Sequence, residues 1–84
     1  MRIEFGTKTL KFLSKSEKSD STRIFKRIEE LGENQHPQDA KKLKGEKDAY
    51  RIRVGDFRVL YRIIREDDVV LVFRVDKRSR VYRR

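Results

Sequence analysis

Apolar and polar positions follow two different rhythms along the chain, and the change between them falls near residue 50. Before it, apolar residues recur every three or four positions, the period of a helix. After it they recur every second position, the period of a strand. Ile3 and Phe5 predict a short opening strand. From Thr7 the spacing predicts a helix with Leu10 and Leu13 on its apolar face and Phe12 beside it. Residues 14–21 mix serines with charges and contain the expected turn. Asp20 or Ser21 is the expected cap of a second helix, in which Ile24, Ile28 and Leu31 recur at i, i+4 and i+7 with Phe25 alongside. Gly32 is its expected stop. The pair makes an αα-hairpin whose stripe reads as core.

Residues 34–37 read as a loop, and His36, placed before proline in a polar stretch, reads as a solvated residue with no catalytic role. Residues 38–45 form a lysine-rich connector with at most one helical turn ending at Gly45, anchored by Leu43. Residues 50–54 then alternate, Gly55-Asp56 carries the signal of a two-residue type II′ turn, and residues 57–64 return. Glu66-Asp67-Asp68 is a second turn. Residues 69–75 are nearly all apolar and predict a central strand buried on both faces. Residues 77–82 close the chain as an edge strand or extended tail. The order β-α-α-β-β-β(β) predicts an α+β fold: a small antiparallel sheet of about four strands, packed on one side by the N-terminal αα-hairpin. Residues 1–84 are expected to form a single domain.

Composition narrows the chemistry. Hydrophobic residues are 36% and charged residues 44% of 84, but the apolar ones lie in periodic runs, which argues against disorder. Without cysteine there is neither a disulfide nor a thiolate metal site, and one histidine makes a zinc or iron centre improbable, so no cofactor is expected. The opening residues lack the apolar run of a signal peptide, and no segment approaches membrane-spanning length. A cytoplasmic protein without membrane contact is the expectation.

The net charge is +9, unevenly spread. Residues 1–48 carry 12 Lys/Arg against 9 Asp/Glu, and 9 of the 12 are lysine; residues 49–84 carry 11 against 5, and 10 of the 11 are arginine. Lysine suits solvated helix faces, whereas arginine presents a planar fork that grips phosphate or carboxylate. This sorting points to a polyanion-binding face in the second half.

Hairpin geometry predicts where that face lies. With Gly55-Asp56 as a two-residue loop, Val54 opposes Phe57, Arg53 opposes Arg58, Ile52 opposes Val59 and Arg51 opposes Leu60. Arg51, Arg53 and Arg58 then share one side of the sheet, and Tyr50, Ile52, Val59 and Tyr61 the other, toward the helices. Opposed arginines repel, so the cluster calls for an external anion. Asp56 and Asp76 are the flanking carboxylates that could instead act as its counter-ions. Arg74, Lys77, Arg78 and Arg80 add to the positive charge.

Paired carboxylates for a two-metal nuclease, a serine or cysteine beside a base, and a glycine-rich phosphate loop are all missing. What remains is chemistry by cations and a phenol on a phosphodiester. RNA supplies its own nucleophile, the 2′-hydroxyl tethered next to phosphorus. An enzyme then aligns it, neutralises the developing phosphorane charge and helps the leaving oxygen gain a proton.

Tyr50-Arg51-Ile52-Arg53-Val54-Gly55-Asp56-Phe57-Arg58-Val59-Leu60-Tyr61 resembles the central hairpin of the RelE/ParE toxin superfamily. Asp39-Ala40-Lys41-Lys42-Leu43-Lys44-Gly45 and Arg78-Ser79-Arg80-Val81-Tyr82-Arg83 resemble it too. The resemblance implies a RelE-like microbial ribonuclease fold and a toxin of a type II toxin–antitoxin system. Such toxins are metal-independent endoribonucleases, or mRNA interferases, that cleave messenger RNA in the ribosomal A site and so inhibit translation. It further implies a cognate RelB-like antitoxin contributing an acidic or helical segment, in a heterodimer or heterotetramer, with messenger RNA and the ribosome as the target. By the same resemblance Arg51 and Arg53 take the places of two active-site lysines and Arg58 that of a phosphate-binding arginine. Arg78 takes the place of an arginine near the leaving group, and Tyr82 that of a C-terminal tyrosine. Arg74, Lys77, Arg80 and Lys44 are the further candidate RNA-phosphate contacts.

Arginine does not act as a base where lysine can. With Arg51 and Arg53 in those places the general-base role is open: either the two act only as electrostatic stabilisers, or Tyr82 or Lys77 is the proton acceptor. Two other readings share the fold: a ParE-like inhibitor of DNA gyrase, and a non-catalytic RNA- or ribosome-binding module.

Overall fold

A computed structural model describes residues 1–77. Its frame is the hairpin of β3 (Ala49–Val54) and β4 (Phe57–Ile64), joined by Gly55-Asp56 in the expected register, with Val54 opposite Phe57 and Arg53 opposite Arg58. Gly55 has φ +59 and Asp56 does not share that region, the combination a type II′ turn requires. A 3-10 turn over Arg65–Asp67, ending with Asp68 at φ 57, leads into β5 (Val69–Lys77), antiparallel to β4. The opening strand β1 (Arg2–Phe5) pairs with β5 in parallel, a partnership that the local pattern does not reveal. The lysine-rich connector holds no helical turn. Lys41–Lys42 form a short strand, β2, antiparallel to β3, because exposed lysines suit a sheet edge. The sheet order is β1-β5-β4-β3-β2.

Helices α1 (Thr7–Ser14) and α2 (Lys18–Glu33) follow β1 and pack on one face of this sheet, confirming the α+β arrangement. Leu13, Ile24, Ile28 and Leu31 meet Ile52, Val59, Tyr61, Val70 and Val72 in the core. Leu10, expected on the buried face of α1, is 47% exposed, and Phe12 takes the inner position against Phe57. The N-cap of α2 is Glu17 rather than Asp20 or Ser21. Asp20 lies in the first turn paired with Arg23, and the Ser21 hydroxyl donates to the Lys18 carbonyl.

Gly32 does not end α2, which runs to Glu33 with Asn34 as its C-cap. Its lack of a side chain serves packing instead. A Cβ there would come within 2.9 Å of the Met1 carbonyl oxygen, and the Met1 ammonium donates to the Gly32 carbonyl at 2.9 Å. Nor is β5 buried on both faces: Val70, Val72 and Val75 are buried, whereas Leu71 and Phe73 are only half-covered and Arg74 is exposed. Both helices lie on one side, which leaves the other face open. The closing segment over residues 78–84 lies outside the described residues. Among the described residues no helix is long and apolar enough to cross a membrane.

Tyr61 links sheet, helices and loop. Its ring is fully buried and stacks on Tyr50, and its hydroxyl donates to the Gln35 carbonyl at 2.8 Å. Burial first, then the neighbouring Tyr50 and Asp39, push this phenol up to about 12. Tyr61→Phe is expected to lower stability by about 1 kcal/mol at neutral pH in urea unfolding. A phenol whose folded pKa is raised loses its stabilising effect as pH climbs from about 10 through 12, so the gap between parent and variant should close over that range. A gap that stays constant to the alkaline limit would contradict this account.

Candidate functional site

The sheet face away from the helices carries the expected cluster. In register across it run two rows. One holds Lys41, Arg51, Leu60 and Arg74; the next holds Arg53, Arg58 and Asp76. Alternation along β3 and β4 puts their arginines on the open side. Arg53 is exposed, and Arg51 and Arg58 are half-buried.

Arg74 and Asp76 arrive by a different route. Tyr61 opposes Val72 while Leu60 opposes Arg74, so Phe73 is an extra residue in β5 and the register shifts there. Without this β-bulge, Arg58 would face Val75, and Arg74 and Asp76 would point at the helices. The bulge reverses the phase of the strand, so its last turn of alternation gives the charges to the open face and Val75 to the core.

The cluster is therefore not left entirely to external anions. Arg58 donates through Nε and Nη2 to the two carboxylate oxygens of Asp76 at 2.9 and 2.8 Å, and Arg74 Nε reaches the same carboxylate at 3.0 Å. The hydrogen bonds from Arg58, then those from Arg74, hold the Asp76 carboxyl below the usual carboxylate range, against the opposing effect of burial. Lys41, Arg51 and Arg53 share the two rows with this trio.

Two further candidates are not brought to the cluster. Lys77 opposes Phe57, so it belongs to the helix side, where its ammonium stands over the Phe57 ring at 5.7 Å. Once Asp76 faces the arginines, alternation turns the next residue away. Lys44 is exposed in the turn between β2 and β3, beyond the Ala49 end of β3. Arg53 stands four residues along that strand from Ala49, roughly 13 Å at the rise of a strand. Arg78, Arg80 and Tyr82 lie outside the described residues. His36 is exposed, edge-on to Tyr50 with ring centres 5.0 Å apart, as a loop residue resting on an aromatic. Among the described residues no three His, Asp or Glu side chains gather as a metal site requires.

Comparison with known proteins gives this face a setting. Residues 7–82 match the family described as ParE toxin of type II toxin-antitoxin system, parDE. The chain belongs to the RelE/ParE toxin family. It is 31% identical over 84 residues to a Methanocaldococcus jannaschii protein named as toxin RelE1, covering 96% of this chain and 93% of that one. Its fold matches the isolated Escherichia coli RelE toxin with a TM-score of 0.82 at 30% identity, over 96% of this chain and 89% of that one. The toxin in an archaeal RelE-RelB complex from Pyrococcus horikoshii matches at 0.81 and 28% identity, over 94% and 96%.

In this toxin the opposed Arg53 and Arg58 should cost stability, because like charges facing each other across a sheet repel. Arg53→Gln is expected to raise stability by a few tenths of a kcal/mol in dilute buffer, a gain that fades as salt screens the parent's repulsion. Urea midpoints compared at about 0.02 and 0.5 M salt test it. A variant less stable than the parent at low salt would show that Arg53 is held by attraction rather than repulsion.

Proposed function

We propose that this toxin is a metal-independent endoribonuclease that cleaves messenger RNA in the ribosomal A site, in the cytoplasm, with residues 1–84 acting as one domain. The observation that carries the reading is the open sheet face on which Arg51, Arg53, Arg58 and Arg74 stand in adjacent registered rows. A phosphodiester passing over it meets guanidiniums placed to take up charge on its non-bridging oxygens. The 2′-oxygen attacks phosphorus and the bond to the 5′-oxygen breaks, giving a 2′,3′-cyclic phosphate and a 5′-hydroxyl with no water consumed. The 2′-hydroxyl proton must pass to an acceptor, and the departing 5′-oxygen must receive one.

Arg58 binds the scissile phosphate in this reading, Arg51 and Arg53 stabilise the phosphorane, and Arg78 serves the leaving group. Lys77 stands on the other side of the sheet, so of the two proton acceptors considered the Tyr82 phenol is the one proposed. Arg58→Ala and Arg78→Ala should each reduce cleavage of message on programmed ribosomes by about a hundredfold or more while leaving the fold intact. Tyr82→Phe should be as damaging as Tyr82→Ala if the hydroxyl carries a proton, and much milder if the ring stacks on a base. Parental rates in Arg58→Ala would remove that residue from the mechanism. Intact message combined with inhibited gyrase supercoiling would replace the ribonuclease reading with the ParE-like one. Intact message with only salt-sensitive ribosome association would favour a non-catalytic binding module.

The partner follows from the same charges. Relatives of this fold crystallise in toxin–antitoxin complexes, and a RelB-like antitoxin with an acidic or helical segment is the proposed inhibitor, in a heterodimer or heterotetramer. Its segment should cover Arg51, Arg53 and Arg58. Hydrogen exchange of the complex is expected to show β3 and β4 protected beyond the free toxin. A complex in which that face exchanges as before would contradict direct occlusion.

A further inference from the structure

Asp76 is the one carboxylate that the described register places opposite the arginine cluster, and it is engaged on both sides. It takes the Nε/Nη2 fork of Arg58 bidentately and the Nε–H of Arg74, the latter from two residues earlier on its own strand. The pair with Arg58 is partly covered, the side chains being 27% and 23% exposed, whereas Arg74 is 63% exposed. The β-bulge at Phe73 exists in the same stretch and is what turns both Arg74 and Asp76 to this face.

A free arginine side chain has many rotamers, and ordering one costs conformational entropy. Here it would also swing away from Arg53, which repels it from directly across the hairpin. A bidentate carboxylate fixes the plane of the guanidinium as well as its position. One carboxylate shared by two guanidiniums fixes them relative to each other. We infer that Asp76 is a positioning residue: it locks Arg58 and Arg74 into a paired guanidinium clamp for one phosphate of a single-stranded polynucleotide. The cost is one negative charge beside that phosphate, so the clamp sacrifices ground-state affinity for a fixed geometry. A carboxylate that merely competed with RNA for Arg58 would do the opposite, slowing the reaction by its presence.

The clamp rests on the phosphodiester-binding reading above, and its test separates the two. Asp76→Asn keeps the shape and removes the charge and the second strong acceptor. With message on ribosomes, kcat should fall about ten- to a hundredfold, since a misplaced contact loses alignment. KM should stay level or improve by up to about fivefold, as one repulsive charge beside the phosphate disappears. Asp76→Glu, which retains the carboxylate, should recover part of kcat. A rise in kcat, or an unchanged kcat with an improved KM, would mean that Asp76 is only a competitor and would overturn the inference.

A second readout needs no cleavage. With an RNA carrying 2′-deoxyribose at the cleavage position, the side-chain Nε–H signals of Arg58 and Arg74 should shift together in the parent, and that joint response should be lost in Asp76→Asn. A parent that cleaves nothing yet gives the joint shift would end the ribonuclease reading and uphold the clamp. Independent responses of the two arginines in the parent would overturn the clamp whatever the enzyme does.

Discussion

The site hangs on the conformation of one glycine. Gly55 at φ +59 lets two residues reverse the chain between β3 and β4, and a two-residue loop admits one register. That register decides which side chains enter the core. Ile52, Val54, Phe57, Val59 and Tyr61 all turn toward the helices, and Arg51, Arg53 and Arg58 all turn away. A slip of one residue would bury the arginines and expose five large apolar side chains. The burial of those side chains, at about 1.5–3 kcal/mol each, outweighs the few tenths to about 1 kcal/mol lost where Arg53 faces Arg58. The hydrophobic face thus holds in place an array of charges that would disperse if it were free.

A second device corrects the phase of β5. From Val70 and Val72, strict alternation would put residues 74 and 76 into the core, where an arginine and an aspartate have no place. The extra residue at Phe73 lets Val75 occupy the core instead and delivers Arg74 and Asp76 to the open face. Phe73 itself finds cover under the Arg62 guanidinium, 5.6 Å from its ring centre. The bulge therefore reconciles an apolar strand that begins as core with a charged strand that ends in the site.

This is also where the sequence stops being legible. The hairpin register, the two faces and the arginine cluster followed from period two and a short turn, both of which act between neighbours in the chain. The β4–β5 register did not. The turn between those strands is longer, and a bulge leaves no mark in an apolar run that has no period to break. Asp76 was visible only as a flanking counter-ion, and its bidentate hold on Arg58 depends on that hidden shift. The parallel pairing of β1 with β5 and the edge strand β2 are long-range choices that local patterns do not encode. Gly32 misled for a related reason: its helix continues because the constraint on it comes from Met1, thirty-one residues away. Leu10 likewise fits a helical stripe, yet it stands 47% exposed.

An arginine array of this kind binds anions without regard to their source, because its forks match carboxylate and phosphate alike. Asp76 shows the point within the chain itself, since its carboxylate matches the Nε/Nη2 edge of Arg58. On the proposed reading, an acidic segment from a partner would use the same geometry and add contacts over the surrounding sheet, making inhibition and RNA binding two occupancies of one surface. Salt should weaken both, but not equally. A protein segment that also buries apolar surface keeps the part of its affinity that salt does not screen, whereas a polynucleotide held mainly through phosphates loses most of its own. Control of such a site does not require a conformational change in the toxin. It requires only that the inhibitor bring an apolar contact that the substrate lacks, and exposed Leu10 and Phe25, together with half-covered Leu71 and Phe73, are apolar positions that α1, α2 and β5 leave at the surface.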